Sequence, residues 1–161
     1  MSGFSITAGN DGAAFAIASN GAITVANPLV LDYESTTSFV LSIVANDGNS
    51  NSDPVNFTVN ILDVNDAVPE LAAAGPFNVS EDAPNTTAVG AVSASDADSS
   101  VFSYSISNGN TGSAFAIDNS GAITVADTSA LDRETLASYT LSIVANDGAN
   151  DSAALDVLVM L

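Results

Sequence analysis

Short alternations of apolar and polar residues run along this chain, each cut off by a cluster of Gly, Asn, Asp or Ser. Residues 4–6 (FSI), 15–17 (FAI), 22–26 (AITVA), 39–45 (FVLSIVA) and 55–61 (VNFTVNI) place their apolar side chains on one face of an extended strand. The same series returns in the second part of the chain, where two further strands are predicted at roughly 76–82 and 87–95. No segment longer than about ten residues keeps a 3.6-residue period. The pattern predicts an all-β protein. Short strands at this spacing in a unit of about 100 residues point to a Greek-key, immunoglobulin-like β-sandwich.

Comparing the chain with itself shows that the alternation repeats in detail. Residues 21–26 and 121–126 both read GAITVA, and 41–48 and 141–148 both read LSIVANDG. Between 4–48 and 104–148 the offset is 100 without a gap, and 27 of the 45 aligned pairs are identical. Chance does not produce such a run, so the chain is a tandem repeat. The two copies are unequal. Residues 1–62 match only the later part of a unit, 63–69 form a linker, and 70–161 make a complete one. A sandwich without its first two strands exposes unpaired edges and an uncovered core. Either a fragment boundary cuts the first unit, or strands of another chain complete it by β-augmentation.

Charge changes the picture more than composition does. A single basic residue, Arg133, faces 19 acids, for a formal charge of −18. Nucleic acid is excluded as a partner, because it requires a Lys/Arg footprint. Membrane insertion is excluded too, since no apolar run of about 18 residues exists. The opening residues show no signal-peptide pattern, so an export signal would lie outside this sequence or at its end. Without Cys there is no disulfide, and without His the usual general base and transition-metal ligand are missing. Self-repulsion on this scale opposes a compact fold unless something neutralises it.

The acids are clustered, which separates a metal site from a merely acidic surface. They fall into short groups near predicted strand ends: Asp32 and Glu34; Asp63, Asn65 and Asp66; Glu81 and Asp82; Asp96 and Asp98; Asp132 and Glu134; and Asp47 and Asp147. Alternate spacing on an extended segment sends two carboxylates to one face. Ca²⁺ needs six to eight hard oxygen ligands, and such groups supply them. Taken singly, each motif is as readily a turn or an Asx cap.

In order along the chain, these groups resemble the cadherin repeat superfamily, and more particularly the bacterial cadherin-like repeats of large secreted adhesins. Asp63-Val64-Asn65-Asp66-Ala67-Val68-Pro69 is similar to the family's DxNDNxP linker. Leu131-Asp132-Arg133-Glu134 matches its LDRE motif, and Leu31-Asp32-Tyr33-Glu34 is a variant of it. Val79-Ser80-Glu81-Asp82 resembles the early Glu motif, Asp96-Ala97-Asp98 the D-A-D motif, and the two A-N-D-G segments the late A-x-D-x-G motif.

The resemblance implies tandem cadherin-like sandwiches with Ca²⁺ between consecutive repeats. It assigns Asp32, Glu34, Asp63, Asp66 and Asp98 to inner ions. It assigns Asn65, the Ala67 carbonyl, Asp96, Asp98 and Asp147 to an outer one. The last linker Asn of the family is Ala67 here, a position the family uses through its backbone oxygen. The implied role is that of an extracellular, cell-surface extender module whose joint Ca²⁺ stiffens for cell adhesion. Its partners would be neighbouring repeats of the same protein. The alternative is a filament subunit or domain-swapped assembly that completes its first unit by strand exchange, and homophilic association stays open. An enzyme is not expected, because paired carboxylates without His or Cys are better read as Ca²⁺ ligands.

Overall fold

The computed structural model describes residues 3–100 and 102–161. The chain folds as two compact units that divide between Val64 and Asn65. Apart from four 3-10 turns, every regular element among the described residues is a strand.

In the first unit the strands are β1 (Gly3–Ala8), β2 (Phe15–Ile17), β3 (Ile23–Val25), β4 (Ser38–Asn46) and β5 (Val55–Asn60). β4 lies between β1 and β5 in an antiparallel sheet, while β2 and β3 form a separate pair. Alternation on β4 turns Phe39, Leu41 and Ile43 inward, where they meet Ala14 and Phe15. Phe15 and Phe39 pack edge to face, with ring centroids 5.2 Å apart. The β1–β4 register slips between Ile6 and Ala8, and the chain then turns at Gly9 with φ of 75°. A Cβ at Gly9 would lie 1.8 Å from the Val40 carbonyl oxygen, so only glycine fits there.

The second unit contains β6 (Glu70–Leu71), β7 (Phe77–Asn78), β8 (Ala88–Ala91), β9 (Ala94–Ser95), β10 (Ser103–Asn108), β11 (Phe115–Ile117), β12 (Ala122–Val125), β13 (Ser138–Asn146) and β14 (Leu155–Met160). One sheet runs β10-β13-β14-β7 and the other β11-β12-β8, with β6 and β9 as a short extra pair. Tyr139, Leu141, Ile143, Val157 and Val159 from the first sheet pack with Phe115, Ile123 and Val125 from the second. This is the immunoglobulin-like sandwich that the alternation predicted.

Two details differ from the pattern read off the sequence. The strand expected at 76–82 pairs over only two residues, because the chain turns at Ser80, whose carbonyl accepts from Ala83 N at 3.0 Å. The strand expected at 87–95 is split. β8 pairs with β12 and β9 with β6, and buried Val92 lies where the chain passes from one sheet to the other.

Candidate metal centre

Three segments of the second unit meet at one end of the sandwich: residues 65–67, the turn after β9, and the turn after β13. The turn after β9 carries Asp96 and Asp98. Asp96 Oδ1 accepts from the backbone N–H of Asp98 at 3.1 Å and of Ser99 at 2.9 Å, an Asx turn that fixes both carboxylates. Asp98 Oδ2 then accepts from the N–H groups of Asp66 and Ala67, each at 2.8 Å. These charge-assisted bonds dock the segment after Val64 onto the sandwich. In the third segment Asp147 is buried, and its Oδ1 accepts from Ala149 N at 2.7 Å and Asn150 N at 2.6 Å.

Each carboxylate thus spends one oxygen on backbone donors and keeps the other. Asp96, Asp98 and Asp147 each present a carboxylate oxygen within 4.8 Å of the others. Oxygens sharing one Ca²⁺ at about 2.3–2.6 Å lie no further than roughly 5 Å apart, so the spacing suits a common ion.

Two observations show what the cluster lacks. Asp96 Oδ2 is buried without a hydrogen-bond partner. Such an atom costs stability unless a donor or a cation meets it. Asn65 Oδ1 faces Asp98 Oδ1 at 3.3 Å and Asp147 Oδ2 at 2.9 Å, an acceptor set against acceptors. Turning the amide end over would make it a donor to both, while a cation in the gap satisfies the orientation seen. The donor set is all oxygen, which suits a hard divalent cation such as Ca²⁺ rather than a thiophilic metal. The residues present therefore fit the ion.

Electrostatics agree with this crowding. The adjacent Asp96 side chain, followed by the Ala67 N–H, holds Asp98 below the usual carboxylate range. Asp96 is pushed up, first by the neighbouring Asp98 side chain and then by desolvation. Asp147 is held down, first by the Asn150 N–H. Two like charges this close repel, and a cation between them relieves that repulsion.

The structure thus brings together Asn65, Ala67, Asp96, Asp98 and Asp147, with Asp66 joined to them through its backbone N–H. Asp66 itself is exposed. Asp32, Glu34 and Asp63 lie in the first unit, all exposed. Asp32 builds a turn, with Oδ2 accepting from Ser35 Oγ at 2.7 Å and Oδ1 from Ser35 N at 3.2 Å. These bonds, the hydroxyl's foremost, keep its pKa low. At Glu34 a backbone hydrogen bond lowers the pKa, but burial and the charges of Asp63 and Asp32 outweigh it, so the net shift is upward. Glu81, Asp132 and Glu134 form another acidic group, with the Arg133 N–H donating to Glu81 Oε2 at 2.8 Å.

One residue of the site was not foreseen. Asn150 donates from Nδ2 to the Ala67 carbonyl oxygen at 2.8 Å. Its signal in the sequence is slight: an Asn in the second copy where the first has Ser50.

A cadherin domain model matches residues 76–160. Protocadherin Fat 1 of Homo sapiens is 41% identical over 152 residues, which cover 89% of this chain and 3% of that protein. The protocadherin-like wing polarity protein stan of Drosophila melanogaster is 38% identical over 163 residues, covering 92% of this chain and 4% of that protein. The chain therefore spans a small fraction of the length of these relatives. The crystal structure of mouse protocadherin-24 EC1-3 matches 99% of this chain and 58% of its own, with a TM-score of 0.80 at 24% identity. That of human protocadherin-24 EC1-2, form II, covers 99% and 81%, with a TM-score of 0.75 at 23% identity. The folds agree. Cadherin family proteins are adhesion proteins and not enzymes. A family match that covers most of the second sandwich and more than half of the chain, together with relatives about 40% identical over nine-tenths of it, leaves one conclusion: this chain belongs to the cadherin family.

Proposed function

We propose that the chain is a Ca²⁺-binding structural module of a cell-surface adhesin, in which the ion stiffens the joint between consecutive repeats. Cadherin domains generally bind Ca²⁺, and the observation that carries the reading here is the buried, unpartnered Asp96 Oδ2 beside Asp98 and Asp147. Asn65, the Ala67 carbonyl, Asp96, Asp98 and Asp147 would hold the outer ion. Asp32, Glu34, Asp63 and Asp66, with Asp98 shared, are the proposed inner ligands. The ion supplies charge neutralisation and nothing redox or acid-base. In a chain of net charge −18, that alone relieves repulsion among the clustered acids.

Stiffening follows from connectivity. Asn65 directly follows Val64, the last residue of the first unit. A cation gripping Asn65 and the Ala67 carbonyl removes freedom from the chain that joins the repeats, where clustered carboxylates alone would repel. Extracellular location goes with the family's adhesion role, and neighbouring repeats are the proposed partners. The bacterial setting rests on sequence resemblance, while the relatives named above are animal proteins.

Calorimetric Ca²⁺ titration, thermal unfolding and small-angle scattering, each with ion and with chelator, test the reading. Free Ca²⁺ at a hundred times Kd should stabilise the wild-type protein by about 2.7 kcal/mol and narrow its distribution of dimensions. Asp96→Asn keeps the Asx turn but puts an amide donor where Oδ2 was, and should abolish that gain. If neither stability nor shape responds to Ca²⁺, the reading is wrong.

A further inference from the structure

Asn150 touches both sides of the candidate site. Its backbone N–H donates to Asp147 Oδ1 at 2.6 Å, and its carbonyl accepts from Asp147 N at 3.3 Å, closing a four-residue turn. Its side chain reaches 83 residues back along the sequence to the Ala67 carbonyl, at 2.8 Å. The first unit supplies an internal control. There Asp47 Oδ1 accepts from Asn49 N and Ser50 N, each at 2.8 Å, and Asp47 N donates to Ser50 O at 3.3 Å. The two turns are alike, so the turn itself has no need of asparagine. What Asn150 adds over Ser50 is reach.

We infer that Asn150 is a positioning residue for the cation site. Its amide holds the Ala67 carbonyl in the same frame as the Asp147 carboxylate before an ion arrives. The carbonyl oxygen has two lone pairs, so accepting from Asn150 leaves the second for a cation. Without the amide, the segment at 65–67 keeps its two N–H bonds to Asp98, but the carbonyl beyond them is no longer oriented. Orienting it then falls on ion binding, and affinity drops by the cost of that ordering. This inference deepens the proposed Ca²⁺ function and rests on it for the affinity measurement alone.

The test is Asn150→Ser in the full chain, which installs the residue that the first unit uses in the same turn. In chelator, hydrogen exchange at the Asp66 and Ala67 amides should accelerate about fivefold, as expected on losing one hydrogen bond. The Ile143 amide in the core should be unchanged, which shows that the fold is intact. Ca²⁺ affinity by calorimetry should fall by a similar factor, about fivefold. Unchanged exchange at Asp66 and Ala67 overturns the positioning role. Faster exchange with unaltered Ca²⁺ affinity overturns its link to the ion. A wild-type protein that ignores Ca²⁺ sinks the proposed function instead, and the exchange rates in chelator still decide whether Asn150 holds the segment. Asn150→Asp, which keeps the shape but cannot donate, should match Asn150→Ser in the chelator measurement and exclude a steric explanation.

Discussion

The six residues GAITVA occur twice in this chain and meet different fates. Ile123 and Val125 of β12 are 0% and 1% exposed, while Ile23 and Val25 of β3 are 36% and 53% exposed. The difference lies in what stands beside them. β12 is flanked by β8, and its edge is satisfied by Val125 N to Thr87 O at 2.9 Å and Thr86 N to Val125 O at 2.7 Å. Among the described residues, β3 pairs with β2 alone. The opposite sheet repeats the lesson. β7 runs parallel to β14 and Val157 is fully buried, whereas its counterpart Phe57 on β5 is 48% exposed. Among the described residues, the first unit has no counterpart of β7 or β8. Burial is therefore a property of the neighbours rather than of the residue. A strand with an apolar face becomes core only when its sheet neighbours stand beside it as well as a second layer over it.

The comparison can be broken most directly at the shared isoleucine. Ile123→Ala removes a fully buried side chain and should cost the second unit about 2–5 kcal/mol. Ile23→Ala, the same change in the same hexapeptide, should cost the first unit about 1 kcal/mol or less. Urea titration followed through resolved amide signals of each unit would separate the two, and equal losses would refute the claim that neighbours decide.

A smaller effect sits one layer deeper. Tyr139 and Phe39 occupy the same repeat position and pack edge to face on Phe115 and Phe15 respectively. Only Tyr139 adds a hydroxyl, which donates to the Ala130 carbonyl. Burial, followed by the charge of Asp132, pushes its pKa up, so the hydroxyl keeps its proton and donates. Tyr139→Phe should cost about 0.5–1.5 kcal/mol in the same titration, with the first unit unaffected. No change would show that the hydroxyl adds nothing beyond the ring.

The smallest effect is expected at Asp118, which replaces Ala18 of the first copy. It accepts from Ser120 Oγ at 2.6 Å, Ser120 N at 2.8 Å and Ala122 N at 3.1 Å. These bonds, the Ser120 hydroxyl's first, depress its pKa. A depressed carboxylate stabilises the fold above its unfolded pKa and loses that contribution as pH falls through the folded one. Asp118→Ala should therefore lower the melting temperature at neutral pH. The gap to wild type should close as pH drops below about 4, where unfolded Asp begins to protonate. A gap that persists into strong acid would mean that the charge is not what matters.

Much of this was legible in the sequence because it is local. Period-two alternation determined which residues lie on strands, and the 100-residue offset determined that one unit is built twice. The order of acidic motifs, through its resemblance to the cadherin repeat, pointed to Asp32, Glu34, Asp63, Asn65, Asp66, Ala67, Asp96, Asp98 and Asp147, of which Asn65, Ala67, Asp96, Asp98 and Asp147 gather at one end of the second unit. Two structural features escaped notice because they depend on distant partners. The break in the strand predicted at 87–95 is visible only once β8 has joined β12 and β9 has joined β6. Asn150 has no motif of its own, and its importance appears only when folding brings the Ala67 carbonyl to its amide.

GAITVA shows the division most clearly. Its alternation made both copies strands, since the backbone pairing and the facing of side chains follow from nearest neighbours in the chain. Whether those strands became core was decided by tertiary structure alone. Removing Ile and Val from water requires neighbours beside the strand as well as facing it, and in the second unit the flanking strand β8 arrives from residues some 30 positions away in the sequence.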